Sequence, residues 1–247
     1  SSDVCSSDLH RQSVLHVAVG HPHHLPSESR QVAIALERVH YVEMAQQALV
    51  QMGVTLNATQ VDQIMGHLTM LQKWNRVHNL TAIDSPQEAL QLHALDCLAT
   101  IPVWLQRSPA PASLLDVGSG AGFPAVTYAI AWPQTQVLAV DSVGKKAAFI
   151  QQVASQLGLK NLKSRHARVQ DVKQSFEAIT CRAFASLPDL VNWTDNLLAK
   201  EGRWVCLKGK TPLEEIQALP PHVVLESVDP VTVPGLEAQR CLVWLLK

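Results

Sequence analysis

The chain has 247 residues, a net charge of −1 from 20 Lys and Arg against 21 Asp and Glu, and 47% hydrophobic residues. That composition is globular and long enough for one large domain or two small ones, and it excludes a whole-chain basic footprint for nucleic acid, so any such site is a local patch. The five cysteines (Cys5, Cys97, Cys181, Cys206, Cys241) are odd in number and form no CxxC pair, which argues against a disulfide framework and for a reducing, cytoplasmic setting.

Residues 1–40 read as a disordered or non-native extension. Ser1–Leu9 is a near-repeat of Ser-Ser-Asp that resembles translated sequencing-adapter sequence, which puts the expected start near Met44. His21, His23 and His24 have no Cys or carboxylate partner nearby, so a polar tail is expected there and no metal site. No apolar run approaches the ~20 residues needed to span a bilayer, and the first residues lack the layout of a secretory signal.

Residues 41–108 are expected to form a helical subdomain. Val42, Ala45, Leu49 and Met52 repeat at helical spacing up to Gly53. Thr59 can cap a second helix carrying Val61, Ile64, Leu68 and Leu71, with a polar loop expected from Asn75 to Thr81. Ser85-Pro86 starts a third helix, which bears Leu90, His93, Ala94 and Cys97. A Pro-rich linker over 106–112 follows.

Residues 109–247 change period. Short apolar runs at 113–117, 136–141, 162–168, 178–183, 202–208, 222–227 and 240–246 read as strands. Helical stretches at 124–132, 144–157 and 186–199 separate the early ones. Alternation of this kind implies a parallel sheet with right-handed crossovers. The last two strands have only a loop between them, so an antiparallel hairpin at the sheet edge is expected.

The chemistry lies in Asp116-Val-Gly118-Ser-Gly120-Ala-Gly122-Phe123-Pro124, between a strand and a helix. Glycines there let the backbone turn tightly and approach a ligand, and the following helix N-terminus offers free N–H groups. Asp141 ends the second strand, where a carboxylate can accept both ribose hydroxyls of an adenosine. A dinucleotide fold would show GxGxxG and a second nucleotide-binding half; this GxGxG with its strand-borne Asp resembles the methyltransferase version, whose loop receives the amino-acid half of S-adenosylmethionine. Residues 142–173 hold Lys145, Lys146, Lys160, Lys163, Arg165, Arg168 and Lys173 against Asp171, a candidate phosphate-contacting face.

Several motifs in order narrow the family: Lys73-Trp-Asn-Arg-Val-His-Asn-Leu-Thr81, His93-Ala-Leu-Asp96, the glycine loop, Asp141-Ser-Val-Gly-Lys145-Lys146, Cys181-Arg-Ala-Phe-Ala-Ser-Leu187 and Leu207-Lys-Gly209. On these the chain, from about Met44 to its end, resembles the bacterial small-subunit (16S) ribosomal RNA guanine-N7 methyltransferases, the RsmG or glucose-inhibited division protein B family. The resemblance implies a class I Rossmann-like α/β fold, with a seven-stranded, mostly parallel sheet whose last strand is antiparallel. It implies a cofactor pocket lined by Gly118 and Phe123, Val169 and Gln170 beside the adenine, and Arg182 facing cofactor and target base. With Asp116, Gly120, Gly122 and Asp141 these are the expected cofactor residues. Lys145, Lys146, Arg168 and Lys208 are the RNA-binding candidates. Gln170 stands where the family has Glu, Ala125 where Gly is common, and Leu92 where Arg is common.

The residues agree with that substrate. Guanine N7 offers a lone pair and carries no proton, so attack on a sulfonium methyl needs orientation, not a general base. No Pro precedes Cys181, which reads as a small core residue, and Arg182 accepts no proton. His78, His93 and His166 are not spaced as a metal site. The expected partner is small-subunit ribosomal RNA, bare or within the subunit, with no membrane and no obligatory protein. The rival readings are a methyltransferase on another substrate, a cofactor- or RNA-binding module without turnover, and an NAD-dependent oxidoreductase.

Overall fold

The computed structural model describes residues 27–247, with side chains from residue 35 onward. Of the extension expected over residues 1–40, residues 1–26, with His21, His23 and His24, lie outside the described residues, while 27–40 are helical. Residues His40–Lys247 form one compact unit, whose fold follows; its first helix begins upstream of it, at Ser27.

Helix α1 spans Ser27–Met52 and gives way to Gly53 at φ +70°. Helix α2 (Ala58–His78) starts on a reciprocal capping box, in which the Asn57 side chain takes the Gln60 N–H and the Gln60 side chain takes the Asn57 N–H. Asn57, not Thr59, is therefore the cap. The helix also runs through the stretch expected as a loop after Trp74. It ends where Asn79 turns left-handed (φ 48°) and donates to the Asn75 carbonyl, a position Asn tolerates. Asn75 itself is buried and satisfied, donating to Asp84 and accepting from the Thr81 N–H.

The third helix is not continuous. Ser85 caps α3 (Pro86–Ala89), Leu90–Leu95 widens into a π-helical turn, and α4 (Asp96–Leu98) leads to α5 (Thr100–Arg107). The chain becomes extended only at Ser108, so the linker begins two residues later than expected.

The remaining residues build the sheet: β1 (Ser113–Val117), α6 (Ala125–Ala131), β2 (Gln136–Asp141), α7 (Gly144–Gln156), β3 (Leu162–His166), β4 (Phe176–Thr180), α8 (Leu187–Thr194), β5 (Leu198–Lys208), α9 (Leu213–Gln217), β6 (Val224–Pro230) and β7 (Cys241–Leu246). The order is β3-β2-β1-β4-β5-β7-β6. Every pairing is parallel except those of β7, which runs antiparallel to both β5 and β6. The antiparallel edge pair thus forms as expected, with β7 inserted between β5 and β6. Helix α8 stops earlier than expected. Thr194 bonds back to the Leu190 carbonyl and accepts from Trp204 Nε1, and the following residues enter β5 early.

Side-chain alternation along the strands divides the core. Leu114, Ala139, Ala178, Val205, Leu242 and Trp244 face α2 and α5 to α7 in one cluster. Leu115, Val140, Ile179, Cys206, Val243 and Leu245 face α8 in the other. Trp104 of α5 meets Tyr128, Trp132 and Trp244 edge-on at 5.2–5.7 Å between ring centres. The strand ends of β1, β2, β4 and β5 are left open at one edge of the sheet, and the site forms there.

Candidate active site

The glycine loop leaves β1 by donating its Gly118 N–H to the Val140 carbonyl at 2.8 Å. Gly118, Gly120 and Gly122 all take positive φ (69°, 57° and 89°), the backbone region in which an L side chain is strained. Space closes two of them as well. A Cβ on Gly118 would lie 2.1 Å from the Phe184 ring, and one on Gly122 would lie 2.7 Å from Val126.

Asp141, at the end of β2, holds the loop. Its two carboxylate oxygens accept from the N–H groups of Gly120 and Val143, each at 2.8 Å. Each oxygen keeps a further lone pair, and the side chain faces the large cavity. Asp116 is placed differently. It is fully buried, accepts from the Ala125 N–H at 3.2 Å, and has a second oxygen without a partner. Burial pushes its carboxyl up to about 7. Asp116 therefore ties the loop to α6, and neither Asp116 nor Gly122 lines the large cavity.

Two cavities meet at Gly118, Ser142 and Phe184. The larger, about 720 Å³, is lined by Gly118, Gly120, Phe123, Asp141, Lys146 and Arg182 among others. The smaller, about 230 Å³, is walled by Val117, Val140, Arg168, Val169, Gln170 and Trp193. Val169 and Gln170, the residues expected beside an adenine, both line this smaller cavity. Phe184 lines both cavities, and its ring rests on Gly118.

Arg182 follows β4 and reaches the large cavity, but its fork is already engaged. It donates to the Leu92 carbonyl (2.9 Å), to Asp96 (3.4 Å) and to His93 Nδ1 (3.0 Å). An arginine only donates, so His93 Nδ1 must be bare. His93 Nε2 then carries the proton and donates to Thr81 Oγ1 at 3.0 Å. Burial, with the Arg182 charge behind it, lowers the His93 pKa to about 4. Asp96 is neutralised twice, since Arg240 also binds it at 2.6 Å. Sequence reasoning set His93 aside and gave no role to Asp96 or Arg240. The first two had a signal, standing three apart on one helical face; Arg240 had none.

The basic candidates separate. Lys146 lines the large cavity and Arg168 the small one. Lys145 turns away and donates to the His78 carbonyl at 2.6 Å. Lys208 lines the large cavity but pairs with Glu215 at 2.8 Å and donates to the Ala185 carbonyl. Among the described residues no cluster of His, Cys, Asp and Glu could hold a metal, and the four described cysteines are free and buried.

A parallel sheet with one inserted antiparallel strand, a glycine loop after β1 and an acid at the end of β2 define the S-adenosylmethionine-dependent class I methyltransferase fold. Solved structures share it. An O-methyltransferase from Bacillus cereus in complex with SAH matches 74% of this chain and 91% of its own, at 15% identity and a TM-score of 0.51. Magnesium protoporphyrin IX methyltransferase from Synechocystis PCC 6803 with bound SAM matches 73% and 97%, at 8% identity and a TM-score of 0.50. The family described as GidB, rRNA small subunit methyltransferase G, matches residues 60–243. Ribosomal RNA small subunit methyltransferase G of Verminephrobacter eiseniae is 52% identical over 209 residues, covering 77% of this chain and 87% of the relative. The protein of the same name from Methylibium petroleiphilum is 46% identical over 206 residues, covering 83% and 92%. The chain belongs to the rRNA small subunit methyltransferase G family.

Proposed function

We propose that this protein transfers a methyl group from S-adenosylmethionine to N7 of a guanine in small-subunit ribosomal RNA, in the cytoplasm. Residues 109–247 act as the catalytic domain and 41–108 as a helical subdomain that closes one wall of the site. The residues present fit the cofactor. Asp141 keeps lone pairs for ribose hydroxyls, and the glycine loop gives close backbone approach beneath it. The cofactor, when bound, supplies an electrophilic methyl on a positively charged sulfur.

The observation that carries the choice of acceptor is the absence of a free base among the described residues that line the large cavity and face the acceptor. His93 has spent its lone pair on Arg182, and Asp96 is held between two arginines. Asp141 is engaged by the loop and aimed at the ribose. Such a wall can bind and orient a nucleophile but not deprotonate one. It suits an aromatic nitrogen whose lone pair is already available, and it suits an amine or hydroxyl poorly. Lys146 and Arg168, which line the two cavities, are the cations this reading assigns to phosphate.

The test is methyl transfer from labelled S-adenosylmethionine to bare small-subunit RNA and to assembled subunits, followed by strand cleavage selective for 7-methylguanine. Label in RNA with cleavage at one guanine is expected. Label on protein alone, or labelled RNA that resists cleavage, rejects this acceptor.

A further inference from the structure

We infer that His67 of α2 is a positioning residue for cofactor binding, acting through the glycine loop; the inference rests on the methyltransferase reading above. His67 is 1% exposed and does not line either cavity at the site. Its Nε2 lies 2.8 Å from the Ala121 carbonyl oxygen. A carbonyl only accepts, so Nε2 carries the proton and Nδ1 is bare. That bare nitrogen is buried with no partner. An unmet buried acceptor is costly, and a plain apolar side chain would fill the same space without it. What histidine adds here is the donor to Ala121.

The ring adds a second grip. It stacks on Phe123 with centres 4.3 Å apart and planes at 23°. Phe123 stacks in turn on His93 at 5.0 Å and 15°, and the Arg182 guanidinium lies 5.6 Å from the Phe123 ring centre. Gly122 lies between the two gripped residues, and a Cβ there would meet Val126 at 2.7 Å and His67 Nε2 at 3.2 Å. One side chain from the helical region thus holds Ala121 and Phe123, on either side of Gly122, and both line the large cavity. Burial also holds the imidazole neutral, with its pKa lowered to about 4, so the donor pattern does not change at physiological pH.

The experiment compares His67→Gln with His67→Met in the full-length protein. The two side chains have similar length and volume, but only glutamine offers an N–H near the position of Nε2. Cofactor affinity is read by calorimetry and KM against kcat by methyl transfer. His67→Met is expected to weaken cofactor binding about tenfold, the usual order for losing one donor to a buried carbonyl. It should raise KM for S-adenosylmethionine similarly and leave kcat at saturation within about twofold. His67→Gln should recover most of the affinity. Equal affinity in both variants and wild type overturns the inference, as does a fall in kcat with unchanged KM, which marks a purely structural residue. If His67→Met fails to fold, wild-type affinity in His67→Gln supports the donor role, and Met-like loss of affinity in a folded His67→Gln overturns it. Wild-type protein that does not bind the cofactor at all fails the methyltransferase reading instead.

Discussion

Asp141 combines two tasks in one carboxylate: it organises the loop through Gly120 and Val143, and it presents lone pairs to the cavity. Replacing Asp141 with Ala removes both, so cofactor affinity should fall by about a hundredfold, the order expected for two hydrogen bonds to a charged acceptor. Calorimetry with S-adenosylmethionine checks this, and melting should show the fold retained. The position of Asp141 at the end of β2 was legible because a strand-end acid after a glycine loop is a local pattern. The setting of Asp116 beneath the loop was not legible in the same way. Whether a strand-borne acid points along the sheet edge or under the loop is set by the loop's own path, which brings the Ala125 N–H back to it. The sequence also left Arg182 half-described. Its position over the loop was legible from its strand, but its engagement with Leu92, His93 and Asp96 joins segments some ninety residues apart and has no local signature.

At the scale of elements, α5 locks the helical region to the sheet. Trp104 is 1% exposed and contacts Tyr128 and Trp132 around α6 and Trp244 of β7, while Arg107 bonds Asp229 and Ser227 of β6. Trp104→Ala should cost about 3–5 kcal/mol, from lost burial plus the cavity it leaves. Urea titration measures this, with the shift in midpoint expected at constant slope. Arg107→Ala, at an exposed pair, should move the midpoint little by comparison. The strands were legible because their apolar runs are short and separated by glycine and proline signals, and 113–117 and 136–141 match β1 and β2. The misplaced boundaries have a common cause. Asn79 ends α2, and Thr194 ends α8, through side-chain or backbone bonds that a hydrophobic period does not contain. The π-helical turn over Leu90–Leu95 and the short helix α9 likewise leave no trace in periodicity.

At the scale of the whole molecule, three buried titratable groups among the described residues tilt stability between pH 5 and 6. His67 and His93 are lowered from 6.5 to about 4 in the fold. The unfolded chain protonates them first, so their neutral burial stabilises fully above about 6.5 and is lost as pH falls toward 4. Asp116 is raised from 3.8 to about 7 and acts in the opposite sense, destabilising as pH rises between those values. Between pH 6 and 5 unfolding therefore takes up two protons and releases one. Stability should fall on acidification by about 1.4 kcal/mol per unit, the value of one net proton. In Asp116→Asn the opposing proton is gone, and the slope should approach twice that. Denaturant titrations at pH 5 and pH 6 separate the two slopes.

The same groups bear on catalysis, because a cavity whose histidine and carboxylates are already engaged has nothing to ionise in the methyl-transfer step. The direct measurement is the single-turnover rate of methyl transfer to small-subunit RNA from pH 6 to pH 8.5, with cofactor and RNA saturating. The rate should stay level within about twofold, as expected when the acceptor gives up no proton. A tenfold rise per pH unit along an acidic limb would reveal a working base and contradict the account.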